Sequence, residues 1–313
     1  MRRATLLTLI VLLAASCGGE GGARPRFLSL GTGGTGGIYY PLGGALASRM
    51  SLADSTRQFT AEVTGGSVEN VNRVIAGQID LGFSLAVTAF QAYQGSDDVP
   101  APATGLRIVA PLYPNVTHVL VSRSSTAATL SDFRGRRVSV GSAGSGTEQI
   151  SEQLLALHGL SYDDVDVRYL TFSESAAALR DGAIDGAILS VGYPAAAVLE
   201  ATTTGDVRLL GIDAERAAAL RKEFPYYTPG EIPAGAYPGV SKAIPTVAMM
   251  NWVVADQTLD DEVVTGLLNI LDRDRVSLEQ VHEMAEQIDL DRLSDAPIPL
   301  HPATERWRAE RER

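Results

Sequence analysis

The chain has 313 residues, 45% of them hydrophobic, and a formal net charge of −11 at pH 7. An acidic chain with no basic run is not expected to bind nucleic acid, because binding to phosphates depends on clustered Lys and Arg. The length is sufficient for two domains of roughly 100–200 residues, each able to bury a core.

The N-terminus has the pattern of an export signal. Two arginines precede a short apolar run and three small residues, which lead to Cys17, the single cysteine of the chain. The apolar run is shorter than the roughly 20 residues that a membrane-spanning helix needs. Residues 1–17 are therefore predicted to be a lipoprotein-type signal peptide, with lipidation at Cys17 and a flexible tether over 18–25. The alternative is an ordinary cleaved signal, since Ala14 stands where lipoprotein signals most often have Leu.

This N-terminus predicts a periplasmic protein that is anchored to the membrane through its lipid.

Downstream, short apolar runs of β type alternate with helical stretches, which indicates an α/β fold. Strands are predicted at 26–31, 79–84, 136–141 and 185–191, and each is followed by a helix. The first and third have a Gly-rich loop after the strand, whereas the second and fourth follow a helix that ends in Gly-x-Ile-Asp.

One architecture is therefore predicted twice, as two lobes, each a mixed, mainly parallel sheet flanked by helices. Strand-like segments at 118–124 and 246–256 are the expected connections between the lobes. This assigns residues 27–117 plus 248–313 to lobe I and residues 118–247 to lobe II. Ligands of open α/β sheets bind at the carboxyl ends of strands, so the ligand cleft is expected between the lobes.

Two Gly-rich loops are the strongest indication of a binding site. They read GTGGTGGIYYPLGG (31–44) and GSAGSGTEQ (141–149), and each precedes a predicted helix. Glycines let the backbone turn tightly and present N–H groups to an anion, together with the positive end of the helix dipole. Hydroxyls at Ser142, Ser145 and Thr147 add further donors. The alternative interpretation is that these glycines only avoid steric clashes in packing turns.

Other polar residues are candidates for ligand contacts. Tyr39 and Tyr40 follow the first loop, and helical geometry lets one of the two face the cleft. Asn70 lies in the first turns of a helix, where a purely structural role is the alternative. Ser84 and Tyr193 each stand at the end of a predicted strand.

Catalytic and nucleotide-binding chemistry has no comparable support. Neither loop contains the Lys of a Walker A motif, and no Gly-x-Ser-x-Gly elbow is present. The four histidines are scattered without the spacing of a metal site. We therefore expect a protein that is not an enzyme and that uses no cofactor, no metal and no nucleic acid.

Six phrases of the sequence resemble one family in order and spacing. They are GTGGTGGIYYPLGGALA (31–47), TGGSVENVNRVIAGQIDLGF (64–83), SDFRGRRVSVGSAGSGTE (131–148), DGAIDGAILSVGYP (181–194), EIPAGAYPGV (231–240) and IPLHPATERW (298–307). The family is that of the TAXI-type solute receptors (substrate-binding proteins) of tripartite ATP-independent periplasmic (TRAP) transporters.

The resemblance implies a type II periplasmic-binding-protein fold that closes by hinge motion on a small anionic organic solute. It also implies a TRAP permease partner with fused small and large membrane subunits, driven by an ion gradient. Characterised relatives bind glutamate, glutamine or similar small carboxylates. An alternative function is a ligand-sensing protein that presents its bound solute to a membrane sensor kinase.

The residues that match the family's ligand contacts come from both loops and from the strand ends. They are Gly34, Thr35, Tyr39, Asn70, Ser84, Ser145, Gly146, Thr147 and Tyr193. The sequence departs from the family after the second strand, where many members have Gln-Ser-Asp and this chain has Leu85, Ala86 and Val87. A cleft contact made by that glutamine is therefore absent, which bears on the identity of the ligand.

Overall fold

The computed structural model describes residues 25–95, 101–204 and 206–313. The predicted signal peptide (1–17), with its lipidation site Cys17, lies outside the described residues. The predicted tether (18–25) lies outside them as well, except for Pro25. No helix in these three ranges is both long enough and apolar enough to cross a membrane.

The described ranges contain ten strands and ten α-helices. The strands are β1 (Arg26–Gly31), β2 (Arg57–Glu62), β3 (Leu81–Leu85), β4 (Leu106–Ser122), β5 (Arg137–Ser139), β6 (Asp166–Arg168), β7 (Gly186–Val191), β8 (Val207–Leu210), β9 (Tyr227–Ile232) and β10 (Ile244–Asp256). The helices are α1 (Tyr39–Ala53), α2 (Ser67–Ile75), α3 (Ala86–Gln94), α4 (Gly146–Leu157), α5 (Phe172–Arg180), α6 (Ala196–Thr203), α7 (Ala214–Glu223), α8 (Asp261–Arg273), α9 (Arg275–Glu279) and α10 (Pro302–Arg311).

The strands form one sheet in the order β2-β1-β3-β10-β4-β7-β5-β6, with β8 paired to β4 and β9 paired to β10. Its outer parts are parallel: β1 pairs with β2 and β3, and β5 pairs with β6 and β7. Its centre is antiparallel, since β10 runs against β3 and β4, and β4 runs against β7. The predicted mixed α/β fold is confirmed. We call β1–β3 with α1–α3 the first unit, and β5–β7 with α4–α6 the second unit.

The two long central strands join these units. β4 pairs with β10 up to Val116 and with β7 from there onward, while β10 pairs with both β3 and β9. The predicted segment 118–124 covers only the end of β4, because Pro111 and Pro114 interrupt the strand pattern before it. A proline donates no ladder hydrogen bond, and the pairing of β4 with β10 shifts register beside these two residues.

The repeated Gly-x-Ile-Asp phrases build the same helix end in both units. α2 ends two residues before Gly77 and α5 ends two residues before Gly182, and these glycines have φ values of 66° and 67°. Glycine adopts this left-handed conformation without the penalty that a Cβ would bring, so both helices end there.

The Asp of each phrase then ties the following strand to its neighbour. Asp80 Oδ2 accepts the backbone N–H of Ser29 at 2.8 Å, and Asp185 Oδ2 accepts that of Arg137 at 2.9 Å. In the second unit the Arg137 side chain adds two further bonds to Asp185, at 3.0 and 2.8 Å. The phrase therefore sets the start of β3 and of β7 in the same way.

The apolar core follows the two faces of the sheet. Successive residues of β10 alternate between two buried clusters, with Trp252 and Val254 in one and Val253 and Ala255 in the other. This alternation follows from the two-residue period of a strand. Each cluster takes side chains from both units, so the central sheet is packed as one body on either face.

His118 is a fully buried titratable residue in the middle of this core. Its Nδ1 lies 3.2 Å from the carbonyl oxygen of Val116, and its Nε2 lies 3.0 Å from the hydroxyl of Tyr237. Tyr237 also accepts the backbone N–H of Ala195 at 3.0 Å, so its own proton is available to donate to Nε2. This arrangement requires a neutral imidazole, and burial lowers the pKa of His118 to about 4.

The free energy of unfolding is expected to fall as the pH is lowered from about 6.5 to about 4. In this range His118 is protonated in the unfolded chain but stays neutral in the folded protein. This difference lowers the free energy of unfolding by up to about 3 kcal/mol. Urea unfolding at pH 7.5, 6, 5 and 4 measures the change. A His118→Gln variant should have a shallower slope over this range, and an unchanged slope would contradict this assignment.

Candidate functional site

A cavity lies between the first and second units, beside the ends of β3 and β7. The cavity volume is about 60 Å³, several times the roughly 10–15 Å³ that one water takes up on the same scale. The lining residues are Gly33, Gly34, Gly36, Gly37, Ile38, Tyr39, Gly65, Gly66, Ser67, Leu85, Tyr113, Asn115, Ser142, Ser145, Gly146, Thr147, Thr171, Phe172, Ser190 and Val191.

Helices α1, α2, α4 and α5 all begin at the wall of this cavity. Their first residues, Tyr39, Ser67, Gly146 and Phe172, line it. The first N–H groups of a helix have no intrahelical acceptor, and the helix dipole makes this end positive. These four helix ends together therefore produce a positive potential and a set of N–H donors without a cationic side chain.

Hydroxyl groups at the helix starts add further donors. The side-chain oxygens of Ser145, Thr147 and Thr171 each accept a backbone N–H, at 3.1, 3.4 and 3.2 Å. A hydroxyl that accepts in this way still carries a proton to donate. No acceptor for these three protons occurs among the described residues, so the protons are available to a ligand.

The floor of the cavity is a hydrogen-bond network on the central strands. The Tyr39 hydroxyl donates to Asn251 Oδ1. The Asn251 amide donates at 2.7 Å to both the Tyr113 carbonyl and Asn115 Oδ1, and Asn115 donates at 2.9 Å to the Ser190 carbonyl. Because its members lie on α1, β10, β4 and β7, this network connects both units through the central strands.

Tyr113 contributes a polar group whose partner is missing. Its side chain is fully buried and lines the cavity, yet its hydroxyl has no hydrogen-bond partner within the described protein. Leaving such a group unsatisfied costs about 1–3 kcal/mol. Burial, with a smaller contribution from Tyr39, raises the pKa of Tyr113 well above its usual value, so the phenol keeps its proton.

Charged side chains do not line the cavity within the described part of the chain. Glu69 and Glu148 follow the starts of α2 and α4, but their carboxylates accept the backbone N–H groups of Gly65 and Gly144, at 2.7 and 2.8 Å. They therefore act as local caps of the two loops. No group of three or more His, Cys, Asp or Glu in the described ranges could hold a metal ion.

Direct contacts across the cleft show that the structure is closed. The backbone N–H of Glu69 in the first unit donates to the carbonyl of Gly144 in the second at 3.0 Å. Farther out, Gln149 of α4 contacts both Thr88 and Gln91 of α3. The cleft therefore has a backbone contact beside the cavity and a side-chain contact at its rim.

Five of the nine predicted contact residues line the cavity. They are Gly34, Tyr39, Ser145, Gly146 and Thr147. Tyr40 is exposed, so of the two adjacent tyrosines Tyr39 is the one that faces the cavity.

The other four predicted residues do not line it. Thr35 is exposed at the tip of its loop. Asn70 is fully buried and bonds only to protein groups, and the Ser84 hydroxyl donates to the Leu85 carbonyl at 3.0 Å. The Tyr193 hydroxyl faces Gln287 in the C-terminal segment, at 3.5 Å.

Sequence reasoning missed several lining residues. Tyr113 and Asn115 belong to the proline-interrupted part of β4, where the strand pattern is weak. Thr171 begins a Thr-x-x-Glu capping box with Glu174, a signal that is readable in the sequence and marks a helix start. Ser190 lies at the end of a predicted strand and could have been chosen on the same grounds as Ser84.

The profile of the NMT1-like family matches residues 30–311, which include both loops and both units. The chain belongs to the NMT1-like family. This NMT1-like protein is also 29% identical over 134 residues to the "Putative aliphatic sulfonates-binding protein" of Escherichia coli (strain K12). That alignment covers 43% of this chain and 39% of the relative, so the chain spans about two fifths of the relative's length.

Solved structures support the fold of this NMT1-like protein. PhnD1 from Prochlorococcus marinus (MIT 9301), in complex with methylphosphonate, superposes with a TM-score of 0.56 and 12% identity, over 85% of this chain and 92% of that one. A structure described as a periplasmic transporter gives a TM-score of 0.54 at 14% identity, over 92% and 93% of the two chains. The NMT1-like protein therefore has the fold of periplasmic binding proteins.

Proposed function

We propose that this protein is an extracytoplasmic solute-binding protein of a TRAP transporter. It captures a small carboxylate or amino acid, similar to glutamate or glutamine, between the two units and delivers it to an ion-gradient-driven permease. The observation that carries the proposal is the cavity between the two units, at which four helix N-termini and three hydroxyl donors converge. The proposal is for a binding protein without enzymatic activity.

Two kinds of likeness support an anionic solute. The relative from Escherichia coli is described as binding aliphatic sulfonates, and the structure of PhnD1 contains methylphosphonate. Both ligands are organic oxyanions, and an oxyanion is the group that helix N-termini and hydroxyls stabilise. The six TAXI-like phrases support the TRAP permease as the partner and a carboxylate as the oxyanion.

We propose the same division into two lobes that the sequence predicts. Lobe I comprises 27–117 and 248–313, and lobe II comprises 118–247, so β4 and β10 are the hinge strands. Lobe closure would bury the ligand and present one closed shape to the permease. Cys17 is the proposed lipid anchor, which keeps the protein at the outer face of the cytoplasmic membrane.

Short organic acids or amino acids are expected to stabilise the purified protein against heat. A ligand at 100 times its Kd adds about 2.7 kcal/mol to the free energy of unfolding, which raises Tm by about 5 °C or more. Thermal unfolding with a panel of carboxylates, amino acids, sugars and divalent metals measures this. Stabilisation by a sugar or a metal alone would contradict the proposal.

The transport partner is tested separately, in vesicles that contain the permease. Uptake of the bound solute should require this protein and an imposed ion gradient, and it should continue without ATP. Solute uptake that requires ATP and does not depend on the ion gradient would contradict the TRAP assignment. Solute binding with no effect on uptake, together with activation of a membrane kinase, would favour the sensing alternative.

A further inference from the structure

The wall of the cavity is rich in hydrogen-bond donors. The helix-start residues Ser67, Gly146 and Thr147 have backbone N–H groups with no acceptor among the described residues. The hydroxyl protons of Ser145 and Thr171 are also unassigned within those residues, as shown above. A bound group that accepts several hydrogen bonds, such as a carboxylate, finds donors on more than one side.

Several hydrogen-bond acceptors around the cavity are already engaged. The carbonyl oxygens of Gly34, Gly36 and Ser142 each accept a backbone N–H, at 3.4, 3.2 and 3.1 Å. The Ser190 carbonyl and Asn115 Oδ1 accept side-chain amides, at 2.9 and 2.7 Å. An ammonium group carries three N–H donors and no acceptor, so it cannot bond to the donors named above and would have to share these oxygens with their present partners.

The electrostatics of the cavity also disfavours an ammonium group. No carboxylate lines the cavity in the described part of the chain, and Glu69 and Glu148 are held by the loops that they cap. An ammonium group would therefore be desolvated beside the N-termini of four helices with no carboxylate among the residues that line the cavity. Burying an unpaired charge in this way is strongly unfavourable.

Tyr113 provides an observation that is independent of the helix ends. Its hydroxyl is fully buried, lines the cavity and has no partner in the described protein. The buried phenol can donate to an oxygen of a ligand at the floor of the cavity. Two apolar side chains, Leu85 and Val191, line the same space and suit a short carbon skeleton.

We infer that the cavity selects small carboxylates that carry no ammonium group, such as 2-oxo and 2-hydroxy acids, over the α-amino acids of the same skeleton. The Tyr113 hydroxyl is assigned as a direct donor to such a ligand. The inference rests on the proposed function and narrows it, because the proposed function allows both carboxylates and amino acids.

The test uses pairs of ligands that differ in one substituent. Calorimetry with the full mature protein compares pyruvate and lactate with alanine, and 2-oxoglutarate with glutamate. In each pair that binds, the acid without the ammonium group is expected to bind at least tenfold more tightly. Equal or tighter binding of the amino acid would overturn the inference and leave the proposed function intact. If no member of any pair binds, the proposed function fails as well.

A Tyr113→Phe variant tests the assigned donor. Its affinity for the best oxo or hydroxy acid is expected to fall about tenfold, while its Tm without ligand is not lowered, since the removed hydroxyl has no protein partner. Tyr237→Phe is the control, because it removes a buried hydroxyl that bonds to His118 and Ala195. The control should lower Tm and change the affinity less than twofold. Unchanged affinity in Tyr113→Phe would overturn the role of Tyr113.

Discussion

Replacing Gly146 by valine is expected to weaken ligand binding at least a hundredfold while the protein remains folded. A Cβ at this position would lie 2.5 Å from Leu85 Cδ1 and 2.8 Å from Ser67 Oγ, and both of these atoms belong to the opposite unit. The added side chain therefore keeps the two units apart and prevents closure. A hundredfold loss corresponds to about 2.7 kcal/mol of binding free energy. Calorimetry gives the affinity, and thermal unfolding reports on the fold.

Two other glycines provide matched comparisons. A Cβ at Gly266, which is half-buried in α8, meets no atom within 4 Å, so Gly266→Ala should bind ligand like the wild type. Gly34 lines the cavity and also has open space around it, so an alanine fits there, whereas a leucine would occupy the space of the ligand. Undiminished binding by Gly146→Val would show that closure at this contact is not needed for binding.

Replacing Asn70 by alanine is expected to lower the free energy of unfolding by about 3–5 kcal/mol. Its amide donates to the carbonyl oxygens of Thr32 and Phe83, at 2.7 and 2.9 Å, and its Oδ1 accepts the Thr64 hydroxyl at 2.7 Å. Because the site is fully buried, water cannot replace these three bonds, although the Thr64 hydroxyl still lies 3.0 Å from the Thr32 carbonyl oxygen and can donate to it. Urea unfolding measures the loss, and Tm should fall by about 10 °C.

Asn72 lies on the same helix with its side chain exposed, and Asn72→Ala serves as the control. That change should alter the free energy of unfolding by less than about 0.5 kcal/mol. The pair also separates the two interpretations of Asn70. If Asn70 bound the ligand, its substitution would lower the protein's affinity for the ligand and leave the free energy of unfolding unchanged. If Asn70 is structural, its substitution lowers the free energy of unfolding. Normal stability with lost affinity in Asn70→Ala would contradict the structural role.

The local features of this fold could be predicted because they depend on neighbouring residues. The strand at 26–31 matches β1, and a helix, α4, begins within the second Gly-rich loop, where one was predicted to follow it. The Gly-x-Ile-Asp phrases also indicated equivalent helix ends, because the glycine conformation and the Asp hydrogen bond depend on the phrase itself. The start of β4 was missed for a local reason as well, because Pro111 and Pro114 weaken its strand pattern.

Within the site, the sequence by itself determined where donors are presented: on two Gly-rich loops, each followed by a helix. That inference needs only backbone geometry and the helix dipole. The tertiary structure alone decided which side chains reach the cavity. Asn70 bonds to groups 38 and 13 residues away. Tyr113 lines the cavity, and its carbonyl oxygen accepts the side-chain amide of Asn251, which is 138 residues away on β10. Contacts between distant segments leave no periodic pattern in a single sequence. The roles of Asn70 and Tyr113 can therefore be read only from the tertiary structure.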